Sequence, residues 1–131
     1  AGASTELTKF NPALIYERRV SGTVTIDALI GSSPSGGTGF VVDRDGYILT
    51  SSHVVHDYAS GTTATTIYVE FPSHARVPAQ LRGIDRFSDV AVLKVDPGAA
   101  GKLHPVPLGD SDRTIVGEPL AVIGAPFGNA S

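Results

Sequence analysis

Apolar and polar positions alternate along residues 20–30, with Val24 and Ile26 in one phase and Thr23 and Thr25 in the other. Alternation of β-branched side chains predicts a strand. The same two-residue period returns at 67–71, 75–84 and 90–95, and Pro78 predicts an edge or bulge in the second of these. Residues 39–42 and 47–50 are apolar runs on either side of Asp43-Arg44-Asp45-Gly46. Asp-Gly between apolar runs predicts a hairpin. Residues 118–124 predict a last strand. Gly31-Ser32-Ser33-Pro34-Ser35-Gly36-Gly37 predicts a loop, as do 58–66 and 96–104. A short helical turn is expected after His53, where Val54, Val55 and His56 break the alternation.

Residues 1–9 are polar and read as loose. Asn11-Pro12 reads as a helix start, with Asn as N-cap and Pro at the first helical position. The helix should run to Arg19 and pack its apolar residues on the body of the domain. Several short strands with turn signals between them predict a barrel or sandwich. The expected architecture is all-β: a single six-stranded antiparallel β-barrel with a short N-terminal helix. Val24, Ile26, Phe40, Val42, Ile48, Val69, Val90 and Val92 are expected to fill it.

Composition narrows the function. A length of 131 residues favours one domain, and 41% hydrophobic with 18% charged residues excludes disorder. The net charge is −3 and the ten basic residues are scattered, which is not the footprint of a nucleic-acid binder. Absence of cysteine excludes disulfides, thiolate catalysis and Cys-based zinc sites. No apolar run approaches a membrane span, and no signal peptide is visible. The start at Ala1-Gly2-Ala3, with no Met anywhere, predicts a processed or truncated chain.

Two residues then stand out. His53 follows the apolar run 47–50, and Asp89 precedes the strand 90–95. A rigid sheet aims residues carried at its strand ends. Histidine suits general-base work because either ring nitrogen can carry the proton. A carboxylate decides which one does, and it stabilises the imidazolium. Alone, either residue reads better as a half-exposed histidine or a strand-terminating aspartate.

Their surroundings add to this. The chain carries Gly37-Thr38-Gly39-Phe40-Val41-Val42, then Gly46-Tyr47-Ile48-Leu49-Thr50 and His53-Val54-Val55. Next come Gly83-Ile84-Asp85-Arg86-Phe87-Ser88-Asp89-Val90-Ala91-Val92-Leu93-Lys94-Val95 and Leu108-Gly109-Asp110-Ser111-Asp112. Val116-Gly117-Glu118 and Ile123-Gly124-Ala125-Pro126-Phe127-Gly128 close the series. This ordered set, spanning residues 37–128, resembles the HtrA/Deg family of trypsin-fold serine proteases. The resemblance implies the N-terminal half of a double barrel, with His53 as general base and Asp89 as its orienting carboxylate. It implies an endopeptidase acting on unfolded or misfolded polypeptides, extracytoplasmic, with no metal or organic cofactor. On this reading residues 1–19 are an N-terminal segment with the helix, 20–124 the barrel, and 125–131 the start of an inter-barrel linker.

The family's nucleophile lies in a G-[NS]-S-G-G-P motif in the second barrel, and no such motif is found here. Gly109-Asp110-Ser111 imitates part of one, but Asp112 stands where a glycine is needed for close backbone approach. Ser35-Gly36-Gly37 offers S-G-G, yet Gly37 belongs to the block before His53. The chain alone is therefore expected to be inactive, with a C-terminal barrel as its missing partner. The face that would meet that barrel should be apolar, which favours homo-oligomers through it. The competing class is a non-enzymatic binding or assembly module, in which His53 and Asp89 are inherited and idle. His53-Val54-Val55-His56 with Asp57 has metal-ligand spacing, but a tetrahedral site would also need His74 or His104 from unrelated loops. A surface His56 is the better reading.

Overall fold

The computed structural model describes residues 9–124 of the chain. The expected linker at 125–131, most of the loose N-terminal segment and the end of the last sequence block lie outside the described residues. Helix α1 spans Pro12–Arg19, and the Asn11 side chain accepts the Leu14 N–H at 3.2 Å, as an N-cap should. The expected packing of α1 is only partial: none of its residues is buried, Ile15 is half-buried, and Leu14 and Tyr16 are exposed. Its apolar residues Ala13 to Tyr16 are contiguous, so they wind around the helix instead of forming one stripe.

Six strands close into the antiparallel barrel. They are β1 Thr23–Ile30, β2 Ser33–Val41, β3 Tyr47–Ser51, β6 Thr66–Glu70, β7 Arg76–Asp85 and β8 Val90–Val95, in the order β1-β2-β3-β8-β7-β6. Closure leaves no full-length edge exposed. Two further strands of two residues each, β4 His56–Asp57 and β5 Thr62–Thr63, form a small separate ladder.

The expected loop at 31–37 is mostly strand. Ile30 pairs with Ser33, so only Gly31 and Ser32 turn the chain. β2 takes its second neighbour, β3, only from Gly39 onward. Pro34 therefore stands where one side of the strand needs no ladder hydrogen bond, which is where a strand tolerates proline. Pro78 is similar: β7 pairs with β6 up to Pro78 and with β8 from Ala79. The register shift in β7 falls later, between Leu81 and Gly83.

The β2–β3 hairpin turns as expected. The Asp43 carboxylate accepts the Asp45 and Tyr47 N–H groups at 3.0 and 3.3 Å. Gly46 adopts a φ of 103°, and a Cβ there would lie 2.2 Å from the Val95 carbonyl oxygen. Only glycine fits both demands.

Val24, Ile26, Ile48 and Val69 fill the barrel as expected. Phe40, Val42, Val90 and Val92 do not. In β2 and β8 the inward phase belongs to Gly39 and Val41 and to Ala91, Leu93 and Val95. Both phases of these strands are apolar, so alternation could not tell inside from outside. The displaced side chains form a second apolar row on the outer wall, where Phe40 is opposite Leu49 and Leu49 opposite Val92. The outer wall of β1, β6 and β7 is instead polar, with Asp27 on Arg76 at 2.6 Å and the Arg76 guanidinium 4.6 Å over the Tyr68 ring.

The expected strand at 118–124 is also absent. Residues 114–124 form neither helix nor strand, and Val116, Leu120 and Val122 are exposed. An alternating pattern shows which face a strand would bury, but a strand also needs a neighbour to pair with. Among the described residues no strand pairs with this one.

Candidate active site

The end of β3 builds the histidine's seat. The chain leaves β3 through a 3-10 turn, Ser52–Val54, closed by the Val55 N–H on the Ser52 carbonyl at 3.1 Å. Ser52, Val54 and Val55 point into the protein, which leaves His53 facing out. Gly37 of β2 makes room for this: a Cβ there would lie 2.7 Å from a Val54 methyl.

The aspartate arrives from the other side of the β3–β8 pair. Asp85 shapes the approach, its carboxylate accepting the Phe87 N–H at 3.0 Å and the Ser88 hydroxyl at 2.9 Å. Asp89 itself has a φ of 57°, in the left-handed region. Few non-glycine residues adopt it, and Asp is among those most enriched there. The Asp89 carbonyl accepts the Ser52 N–H at 3.0 Å, which ties the two corners together.

Sequence reasoning placed His53 and Asp89 at strand ends; the structure pairs those strands, β3 and β8, and brings the two residues into contact. His53 Nδ1 is 2.6 Å from Asp89 Oδ2. Asp89 Oδ1 accepts two more hydrogen bonds, from the Ser52 hydroxyl at 2.8 Å and the His53 backbone N–H at 3.0 Å. The Ser52 hydroxyl first, then the His53 side chain and its backbone N–H, hold the Asp89 carboxyl below the usual aspartate range, against a smaller opposing effect of burial. An ionised carboxylate can only accept, so Nδ1 carries the proton. Nε2 is then the acceptor nitrogen, with no protein partner among the described residues. The His53 side chain is 67% exposed and that of Asp89 44%. The pair can take a proton at Nε2 and hold the resulting imidazolium against Asp89.

Ser52 and Tyr58 belong to this network, and sequence reasoning missed both. Ser52 Oγ lies 2.8 Å from the Tyr58 hydroxyl, and Ser52 is fully buried. A small polar residue directly before the histidine was the available signal for Ser52. Tyr58 gave none, since its contact depends on how the 3-10 turn folds back. Beside His53 a cleft of about 620 Å³ opens between the β1–β2 turn and the β4–β5 segment, with Tyr58 in its wall.

The other candidates fall elsewhere. His56 Nδ1 meets the Thr63 hydroxyl at 2.9 Å, and its ring stands edge-on to Tyr58 at 4.5 Å. Asp57 turns away to the Ala59 N–H and the Ser60 hydroxyl. His74 has a φ of 72° in an exposed turn, and His104 is exposed. No metal-holding cluster of His, Cys, Asp or Glu occurs among the described residues. Ser111 opens a 3-10 turn capped by Asp110. Ser35 lies on β2 in the wall of the His53 cleft. Neither is hydrogen-bonded to His53 among the described residues.

Known proteins share this arrangement of chain. The family described as the trypsin-like peptidase domain matches residues 37–131. A probable periplasmic serine endoprotease, DegP-like, from Pseudomonas fulva is 46% identical over 92 residues, covering 70% of this chain and 17% of the relative. The chloroplastic protease Do-like 1 of Arabidopsis thaliana is 34% identical over 121 residues, covering 89% of this chain and 26% of the relative. Among solved structures, the serine endoprotease from Yersinia pestis superposes with a TM-score of 0.63 at 28% identity, over 76% of this chain and 34% of that one. The HtrA-type protease AlgW, solved with a tripeptide, gives 0.68 at 29% identity over 82% and 33%. The chain thus spans between a sixth and about a third of the length of these proteins. It belongs to the trypsin-like peptidase family, within its HtrA/Deg-like group, and corresponds to the N-terminal portion of those proteins.

Proposed function

We propose that this chain supplies the base and the orienting carboxylate of a serine endopeptidase, and that a second barrel outside it supplies the nucleophile. The observation that carries this reading is the 2.6 Å contact from His53 Nδ1 to Asp89 Oδ2, with Nε2 turned to the open side. In the reaction a serine hydroxyl attacks the scissile carbonyl and its proton passes to His53 Nε2. Asp89 steadies the imidazolium, which then protonates the leaving amine. Water hydrolyses the acyl-enzyme by the same route in reverse. The oxyanion hole would come with the serine, so the isolated chain has neither nucleophile nor transition-state stabilisation.

Polypeptides are the proposed substrates, unfolded ones in particular, and the proposed location is extracytoplasmic, as the names of the DegP-like relatives suggest. The outer apolar row of Phe40, Leu49 and Val92, with Val90 beside it, is the proposed seat of the second barrel. Phe40, Leu49 and Val90 line a groove that runs up to Asp89.

The test compares the isolated chain with a longer protein in which a serine barrel follows it. The longer protein should degrade casein and take up a serine-directed fluorophosphonate, and His53→Ala should abolish proteolysis. The isolated chain should do neither. Labelling of Ser111 or Ser35 in the isolated chain would overturn the proposal. So would proteolysis that survives His53→Ala, and that result would favour the binding-module reading.

A further inference from the structure

We infer that Ser52 and Tyr58 are positioning residues, a two-hydroxyl relay that reserves Asp89 Oδ2 for His53. The inference rests on the proposed use of His53 and Asp89 as base and carboxylate, and adds how the carboxylate is held. Hydrogen-bond directions along the relay follow from donor counting. The Asp89 carboxylate only accepts, so the single Ser52 hydroxyl proton goes to Oδ1 at 2.8 Å. The Ser52 oxygen must then accept at its contact with Tyr58, so the phenol donates at 2.8 Å. Protons thus point in one direction from Tyr58 to Ser52 to Asp89, and each link polarises the next.

Each part of the relay is held from several sides. Ser52 is fully buried, its N–H is on the Asp89 carbonyl, and its carbonyl closes the 3-10 turn. The Tyr58 ring has the His56 ring edge-on at 4.5 Å and the Arg86 guanidinium 5.4 Å over it. With the His53 backbone N–H also on Oδ1, that oxygen accepts two bonds and Oδ2 is left to Nδ1. A carboxylate free to rotate would spread its bonds over both oxygens and loosen the imidazole. Tyr58 also stands in the wall of the cleft beside His53, so the relay begins at the surface a bound polypeptide would touch.

The test reads Asp89 directly, by carbon-detected NMR titration of its carboxyl in the isolated chain, which needs no proteolysis. Ser52→Ala should move the Asp89 midpoint upward, because one of the bonds favouring the charged form is gone. Tyr58→Phe should move it the same way by less, and it keeps Ser52 in place should the buried Ser52→Ala variant fold poorly. In a longer protein with its serine, Ser52→Ala should lower kcat about tenfold at unchanged KM, the rate equivalent of one hydrogen bond to a charged group. Titrations of both variants that superimpose on the wild type would overturn the relay, even if proteolysis were established. A shift with Ser52→Ala but none with Tyr58→Phe would remove Tyr58 from it. Shifted titrations in a protein that proves not to be a protease would keep the relay and sink the function it was drawn for.

Discussion

His53 and His56 sit three residues apart, each with its Nδ1 on an oxygen, at 2.6 and 2.9 Å, and each close to an aspartate. Only one of them is paired with a carboxylate. His53 meets the carboxylate of Asp89, 36 residues away in the turn before β8, while His56 meets the hydroxyl of Thr63. Asp57, adjacent to His56 in sequence, gives its carboxylate to Ser60 and Ala59 instead. Nearness along the chain therefore does not make a dyad. What matters is whether the carboxylate has an oxygen left to commit, and Asp89 keeps one because Oδ1 absorbs its other bonds.

The largest expected effect tests that difference in the reaction itself. In a longer protein carrying the serine, Asp89→Asn should cost about ten-thousand-fold in kcat, because an amide facing Nδ1 favours the wrong tautomer. Casein turnover measures it, and nitrogen NMR of His53 should show the proton shifted from Nδ1. Asp57→Asn should do neither. If the two variants were equally impaired, the contrast between the histidines would fail.

The second prediction concerns the support the two histidines share. Val55 lies between them and is fully buried, and its carbonyl accepts the Ala64 N–H beside β5. Val55→Ala should destabilise the domain by about 2 kcal/mol through lost burial and the cavity left behind. Urea denaturation measures the loss. NMR should show both imidazoles disturbed, whereas Asp89→Asn should disturb His53 far more than His56.

The third is a pH effect. Both carboxyls are held below the usual aspartate range: Asp89 by Ser52 first and then His53, Asp57 by the Ser60 hydroxyl first and then the Ala59 N–H. A group whose pKa is depressed on folding adds stability that is fully present above its ordinary value and is lost as pH falls through the depressed one. Urea midpoints should therefore fall from about pH 5 downward. Asp89→Asn and Asp57→Asn should each flatten part of that fall. A variant with the wild-type slope would mean that its carboxylate contributes nothing to acid stability.

These contrasts were unevenly legible in the sequence. The barrel was readable because Val24, Ile26 and Val69 alternate with polar neighbours. It was misread in β2 and β8, where Phe40 beside Val41 and Val92 beside Leu93 give both faces an apolar claim. Residues 118–124 have strand-like composition but lack a pairing neighbour among the described residues. His53 and Asp89 were legible because each interrupts or borders an apolar strand inside an ordered set of blocks. The Ser52–Tyr58 link was not, since two hydroxyls six residues apart meet only after Ser52–Val54 has turned and Ser52 is buried.

The smallest expected effect bears on the weaker histidine. Thr63→Val removes the partner of His56 Nδ1 at an exposed ladder of two residues per strand. Both groups can turn to water, so the stability change should stay within about 0.5 kcal/mol. Proteolysis in the longer protein should stay within about twofold, the rate equivalent of that energy. Thermal melts and casein assays check the two numbers. The result is informative because His56 also packs edge-on against Tyr58. If loosening His56 cut turnover tenfold while stability held, the effect would have to travel through Tyr58 and Ser52 to Asp89. The second histidine would then be a remote support of the first, and the line between them would lie at Thr63 instead of at the carboxylates.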